Sequence, residues 1–526
     1  MNTANPSALL RTLIVYAICV PLAITVGYML TNPLDFQSMG FIGIFAGILI
    51  FPLLMRWHYL LLIVSWNLPV TLFFLPGHPN LFLAMVAASL TISIIERILD
   101  RNQRFLPSCG VAWPLLLFLG VIFLTAKLHG GFGLRSMGSE NYGGKKYVFL
   151  IVGILSFFAI TARPIERKQA RRYVMLFFAG GILNFLSDFY PFMPSALHPL
   201  YLLIPPSTVG MDQFGNQDIE FGKTRLGGVA SSAGTVFTLM LALYGFRGSF
   251  FSTKIWRAPV MTLAIVLVFL GGFRASILGV IIMLSLIFYM EKMHRTGVVL
   301  AVLMIGLVGA TLVVPFSSHL PYTFQRALAF LPLDISPEAK LDAEASTQWR
   351  LDIWNALMPQ IPKHLLLGKG YGFSAEEFNE SMGGNATFAN SFNAADNPLA
   401  VAGDYHSGPI SVVLSFGIWG VIVWLWYWVA GFLVVWRNHR YGDPQLATIN
   451  RFLVATFIGK VFGFLFIFGD VVNDVGSFAG VIGLSIALNH GVARQPARAK
   501  AGASGTVATG NVPLLRPSPA LPSMGR

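Results

Sequence analysis

The run Asp404-Tyr405-His406-Ser407-Gly408-Pro409-Ile410-Ser411 marks a sharp change of character in the chain. Before it lies a polar stretch of about ninety residues, 316–406, and after it the sequence is apolar to Trp436. A helix that crosses a bilayer needs about twenty apolar residues, and 409–436 supplies them. Only 11% of the chain is charged and 55% is hydrophobic, against about a quarter charged in soluble domains. The chain therefore reads as an all-α, polytopic transmembrane helix bundle. The polar stretch reads as one large, mainly helical loop hung between two spans.

Hydropathy divides the chain into spans over 1–315, the loop over 316–407, further spans over 408–490, and a tail over 491–526 without periodicity that is expected to be disordered. It predicts about fourteen spans. The first, 12–30, reads as a retained signal anchor. Others fall at 41–55, 59–75, 81–98 and 173–190. Net charge is +13, but most basic residues sit in short loops, where they report topology. No basic helix interleaved with aromatics is present, so nucleic acid is not an expected partner. Basic clusters recur at Arg97, Arg101 and Arg104, at Arg163 to Arg172, at Arg247 to Arg257, at Lys292 and Arg295, and at Arg437 and Arg440. By the positive-inside rule these lie in the cytoplasm. Counting spans from there places both termini inside and the large loop outside. The loop itself holds ten acidic residues against five basic ones.

Two cysteines, Cys19 and Cys109, lie in or beside apolar runs, and the ten histidines lack metal-ligand spacing. Neither a disulfide framework nor a metal site is expected, and no cofactor is implied. Gly368-Lys369-Gly370-Tyr371-Gly372 has the wrong spacing for a dinucleotide fingerprint and reads as a tight turn. Asp470, Asn473 and Asp474 read as a polar turn between the last two spans.

Four residues stand out at the outer ends of spans. Arg274, in Gly271-Gly272-Phe273-Arg274-Ala275-Ser276, is either a snorkelling helix-end arginine or an anion ligand beside irregular backbone. Arg350 shares a helix face with Ile353, Trp354 and Leu357, on a short helix expected to be capped near Ser346 and stopped at Pro359. It therefore points inward, toward a ligand or toward Asp404 or Asp352. Arg225 precedes Leu226-Gly227-Gly228 at another span and serves as an interfacial anchor or a further contact. His406 lies ahead of a helix that Ser407 can cap and Pro409 can open. The positive end of that helix disfavours imidazolium and favours nearby anions, which suits a general base, although an ordinary interfacial histidine could occupy the same place. Asp404 either orients that ring or belongs to a turn.

In this order the residues resemble the O-antigen ligase and polymerase family of bacterial inner-membrane glycosyltransferases, which are GT-C-like. The resemblance covers Arg225 to Trp424. It is carried by Arg274-Ala275-Ser276, by Arg350 to Trp354 followed by Pro362 and Gly368 to Phe373, by His406 with Gly417 and Gly420, and by Arg225 before its glycines. Ser407 stands where the family often has Asn, and Ile410 where it often has Leu. The resemblance implies metal-independent, inverting transfer of a glycan from an undecaprenyl-diphosphate carrier to an acceptor hydroxyl, in a multi-pass inner-membrane protein with a periplasmic loop. Arg274 and Arg350 would hold the diphosphate with Arg225 as a third contact, and His406 would take the acceptor proton. The acceptor is lipid A-core for a ligase, or the carrier-linked glycan for a polymerase. Membrane lipid is the surrounding partner. A glycan-lipid transporter is the competing class, but it would place its charges near the bilayer midplane and has no evident need for so large a loop.

Overall fold

The computed structural model describes residues 36–75, 77–100, 105–106, 109–131, 142–207, 225–377, 379 and 401–495, with parts of 16–31. Within them the chain is helical, and extended pairing is confined to two isolated bridges, Thr71 with Asn80 and Tyr142 with Phe373. In chain order the helices are α1 (Phe36–Ser65), α2 (Leu81–Leu99), α3 (Cys109–His129), α4 (Gly144–Ile160), α5 (Ala170–Ala179), α6 (Gly227–Phe250), α7 (Arg257–Val268), α8 (Arg274–Met290) and α9 (Val298–Val313). The loop region contributes α10 (Tyr322–Leu328), α11 (Pro337–Leu357) and α12 (Ile361–His364). The chain then re-enters the bundle as α13 (Gly408–Tyr441), α14 (Ala447–Phe462) and α15 (Val471–Leu488).

A bilayer offers no solvent to unpaired amides, so a spanning segment must satisfy its own backbone. Six of the described helices are long and apolar enough to cross: Leu81–Leu99, Gly110–His129, Gly227–Phe250, Gly408–Tyr441, Pro444–Ile467 and Val471–Leu488. Shorter apolar helices lie beside them, among them Arg257–Gly271, Arg274–Met290 and Val298–Thr311. The all-α polytopic bundle read from hydropathy is the fold observed.

The most enclosed of the six is α15, whose apolar window is 83% buried. Gly476, Gly480 and Gly483 recur along it at helical spacing, and each sits where another element comes close. Gly476 faces Gly153 of α4, while a Cβ on Gly480 would overlap the Trp66 indole and one on Gly483 would overlap Ile160. Small residues at such spacing let helices approach where lipid supplies no hydrophobic drive between them.

The expected segments 41–55 and 59–75 form one helix, α1, rather than two spans. Arg56, Trp57 and His58 between them do not break a helix. The break falls at 66–75 instead, where Pro69 disfavours the helical conformation of Leu68. With those two merged, counting spans from the N-terminus no longer supports the assignment of sides, which rests on the basic residues alone. The expected span 173–190 is also altered, since α5 passes at Gly180 into a tighter 3₁₀ winding that ends at Asp188. Gly180 there packs against the backbone of Val64, Asn67 and Leu68. Of the expected first span, 12–30, the described residues 16–17, 19–25 and 27–28 are helical, and the tail beyond 495 lies outside the described residues.

Two sets of polar residues stand at opposite ends of the helices. At one end Arg163 pairs with Glu96, Arg167 with Asp443 and Arg451 with Glu291, while Asn438, Asn450 and Asn489 bond one another's side chains or backbone. At the other end stand Arg225 before α6, Arg274 opening α8, His406 before α13 and Asp470 capping α15. The basic clusters at Arg163 and Arg167 therefore gather away from the residues singled out for chemistry.

Candidate functional site

The site is assembled on α11. That helix is longer than its sequence motif implied: it starts at Pro337, and its N-cap is Ser336, which accepts from the Ala339 amide at 3.3 Å. Ser346 lies inside it. The helix stops at Met358-Pro359 as expected. Ala343, Thr347, Arg350 and Trp354 follow one another at i, i+4, i+7 and i+11, so they share a face.

Arg274 reaches that face from α8. Its guanidinium donates to the Ala343 carbonyl at 2.9 Å and to Thr347 Oγ1 at 2.8 Å. It is held there by Gly272, whose φ of +63° is the left-handed turn that separates the 3₁₀ segment Phe269–Gly271 from α8. Arg225 comes to the same turn. Its Nε donates to the Gly271 carbonyl at 3.2 Å, and its guanidinium lies over the Phe273 ring at 4.3 Å. Burial and the nearby Arg326 lower the Arg225 guanidinium to about 10, so it remains charged at neutral pH.

Arg350 is half-buried, and its Nε is enclosed without a hydrogen-bond partner. The two internal partners weighed from sequence are engaged elsewhere: Asp352 accepts from Gln348 at 2.8 Å and Asp404 from Lys146 at 2.8 Å. Burial lowers the Arg350 pKa, and repulsion from Arg274 and Arg326 lowers it further. The three guanidinium groups therefore share one neighbourhood.

Arg326 escaped the sequence reading. It lies on the two-turn α10, is 6% exposed, and donates to Asp342 at 2.5 Å and to the Gly272 carbonyl at 2.7 Å. Tyr322, one turn earlier, donates to Asp342 at 3.0 Å. Burial alone would raise the Asp342 carboxyl, but the bonds and charge of Arg326 bring it below its ordinary range, aided by Tyr322 and Arg225. Burial and that carboxylate push Tyr322 up to about 12. Among the described residues, Asp342 balances Arg326, while Arg274 bonds only neutral atoms and Arg350 bonds none. No spacing rule joins Arg326 to Asp342 across two helices, and only the fold reveals the pair.

His406 sits in a left-handed backbone conformation, φ +52°, which is uncommon outside glycine. Its Nδ1 lies 3.2 Å from the Asp404 carbonyl oxygen. A carbonyl only accepts, so this bond assigns a proton to Nδ1, and in the neutral ring Nε2 is then the atom that carries the lone pair. Asp404 thus orients the ring through its backbone rather than its carboxylate, which is held by Lys146 of α4. Trp349 and Phe468 flank the imidazole edge-on, at 4.9 and 5.1 Å between ring centroids. Trp354 Nε1 donates to the Tyr405 carbonyl at 3.1 Å. Tyr405 is buried with Ile353, Leu357, Ile410 and Leu414. Ser407 occupies the N-cap position of α13, but its side chain makes no capping bond. The structure thus brings His406 and Arg350 to one helix and Arg274 to its face, with Arg225 at the Gly271–Phe273 turn from which Arg274 extends.

Beneath this cluster lies a cavity of about 660 Å³ between α6, α8 and α14. Gly227, Phe273, Ala275 and Ser276 line it beside the arginines, and Phe468 lines it beside His406. The rest of the wall is largely apolar, with Lys460 deeper in.

The glycine turn is explained by α13. At Gly417 (φ +64°) that helix is broken, which frees carbonyls one turn earlier. Lys369 N donates to Leu414 O at 2.7 Å and Gly370 N to Ser415 O at 3.0 Å, while Ile418 N donates back to Leu365 O at 2.6 Å. Asp470, expected in a polar turn, caps α15 by accepting from Val472 N, and Asp474 accepts from the Asp470 amide.

Residues 225–425 match the family model described as O-antigen ligase. The match begins on Arg225 and takes in Arg274, Arg326, Arg350 and His406. No curated protein matches the chain.

Proposed function

We infer, from the O-antigen ligase match and the family placement it supports for this chain, that the protein is a membrane glycosyltransferase of the ligase or polymerase type. In this reading it moves a glycan from an undecaprenyl-diphosphate carrier to an acceptor hydroxyl at the periplasmic face of the inner membrane. The observation that carries the reading is the pair of guanidinium charges on Arg274 and Arg350, left without a carboxylate among the described residues at the mouth of an apolar cavity beside His406.

A lipid diphosphate fits that arrangement in both of its parts. The prenyl chain suits the cavity wall, and the diphosphate suits planar donors that stay charged. As the bond from the sugar C1 to the phosphate oxygen breaks, negative charge grows on the diphosphate, and donors already in place stabilise it without reorganising. The acceptor oxygen attacks C1 from the opposite side, its proton passes to Nε2 of His406, and the anomeric configuration inverts. Arg326 aligns the cluster through the Gly272 carbonyl and Asp342. Arg225 adds charge near the same turn. The chain supplies the positive charge this chemistry needs from arginine. The basic clusters support these sides, since the positive-inside rule assigns the Arg163 end to the cytoplasm.

The test is transfer by purified protein from carrier-linked glycan, with and without lipid A-core, resolved by product size. Arg350→Gln and Arg274→Gln should each lower kcat/KM about 10²-fold, the loss typical of one donor to a developing anion. His406→Ala should lower kcat by about 10² to 10⁴. Full activity in variants that keep the wild-type melting temperature would sink the reading. A product one glycan longer on the carrier assigns the polymerase reaction, and label on lipid A-core the ligase reaction.

A further inference from the structure

A second basic cluster stands apart from the arginines. Lys127 and His129 end α3, Lys363 and His364 end α12, and Lys369 lies in the glycine turn. They come from three segments that the fold ties together: Thr125 Oγ1 lies 3.4 Å from Leu367 O, and a Cβ on Gly370 would touch His129. Burial lowers the His364 pKa, with the charges of Lys369, His129 and Lys363 adding to it. None of Lys127, Lys363 and Lys369 has a carboxylate partner among the described residues.

This cluster is unexpected where it occurs. The large loop has twice as many acidic as basic residues, and the face assigned above as outer is the one that short loops leave poor in lysine. Two of the loop's five basic residues nevertheless fall here. Beside them runs an exposed ridge of leucines: Leu366 is 69% exposed, and Leu128, Leu124 and Leu367 are close to half exposed. Apolar surface below and ammonium groups above, at the end of a spanning helix, match the acyl chain and the phosphate level of a lipid. A soluble anion or an acidic peptide would leave the leucines uncovered.

The position relative to His406 gives the surface a use. The helix α13, which begins just after His406, packs on α3 along one side and on α14 along another. The donor cavity is walled in part by α14 and the basic surface is carried in part by α3, and α13, which His406 precedes, packs on both. We propose that Lys127, Lys363 and Lys369, with the leucine ridge, dock the phosphate-bearing headgroup of an anionic lipid in the outer leaflet. This lipid carries the acceptor to His406 from the side opposite the donor. The inference rests on the proposed transfer reaction for its purpose, but not for the binding itself.

Full-length protein, stripped of lipid and offered phosphatidylglycerol or phosphatidylcholine, is examined by native mass spectrometry. Wild type should retain phosphatidylglycerol preferentially. The triple variant K127Q/K363Q/K369Q should lose about tenfold of that preference, and the triple arginine variant should keep it. R274Q/R350Q should also keep it, which separates this surface from the diphosphate site. An unchanged preference in the glutamine variant overturns the proposal. In transfer reactions the glutamine variant should raise KM for the acceptor about tenfold and leave KM for the donor as it was, and an unchanged acceptor KM overturns the acceptor role. The binding measurement needs no turnover, so a chain inactive toward lipid-linked glycans could still show the lipid preference, and the two readings fail separately.

Discussion

A guanidinium half out of water that faces two others and, among the described residues, no carboxylate gains most from an anionic visitor, and Arg350 is in that position. Its inward direction was legible from its apolar neighbours at i+3, i+4 and i+7, because helix geometry alone decides which face is buried. What it points at was not legible, since that depends on Arg274 and Arg326, which arrive from other helices. The Arg326–Asp342 pair carries its own expectation. Asp342 is held below the ordinary carboxylate value of 3.8, so the pair's contribution to stability is fully present above that value and is lost as pH falls through the depressed one. Thermal unfolding in detergent should show Asp342→Asn melting below wild type at pH 7, with the gap closing below about pH 4. A gap that persists into acid would show that the pair is not what holds α10 to α11.

At the level of the element, α11 joins the arginines to the histidine. Trp354 extends that connection with one hydrogen bond to the Tyr405 carbonyl, and Lys146 clamps the same turn from α4. Trp354→Phe keeps the ring's packing and removes the donor, a loss of about 1 kcal/mol. Freed of that bond, the His406 turn should relax from its left-handed conformation. Steady-state kinetics should then show kcat falling severalfold with the donor KM unchanged, whereas a rise in donor KM alone would place Trp354 at the diphosphate instead. The sequence showed the end of α11 but not its beginning. Pro359 is an unambiguous stop, while Ser346 reads as a cap until the helix is seen to continue through 337–346.

Across the whole molecule, the Arg163–Glu96, Arg167–Asp443 and Arg451–Glu291 pairs and the basic loops beside them collect at one end of the bundle, and Arg274 and Arg350, without a carboxylate partner among the described residues, at the other. In a variant lacking Cys19 and Cys109, a cysteine at Glu344 should react with a membrane-impermeant maleimide on intact spheroplasts. A cysteine at Lys168 should react only after permeabilisation. The opposite pattern would invert the molecule in its membrane and end the periplasmic assignment. The bundle as a class was legible because apolar length is a strong signal. The junction at 56–58 was not, because hydropathy registers a charged residue whether or not the helix continues through it, and α1 continues.

The glycine turn meets α13 through main-chain bonds, amide to carbonyl in both directions around Gly417, with the Tyr371 ring packed on Phe416. The bonds of this seam do not depend on side-chain identity at Leu365, Leu366 and Lys369, and they require the absence of side chains at three places. A Cβ on Gly368 would lie 2.3 Å from Ser415 O, and one on Gly417 2.7 Å from Leu365 O, while both of these glycines and Gly370 have positive φ. A saturation scan scored for folded protein should therefore tolerate most residues at Leu365, Leu366 and Lys369. It should reject nearly every residue at Gly368, Gly370 and Gly417, at a cost of roughly 1–3 kcal/mol or more each. The surface beside the seam can thus drift toward a different acceptor while the alignment of His406 is inherited unchanged, so substrate preference and catalytic geometry are separately evolvable in this fold.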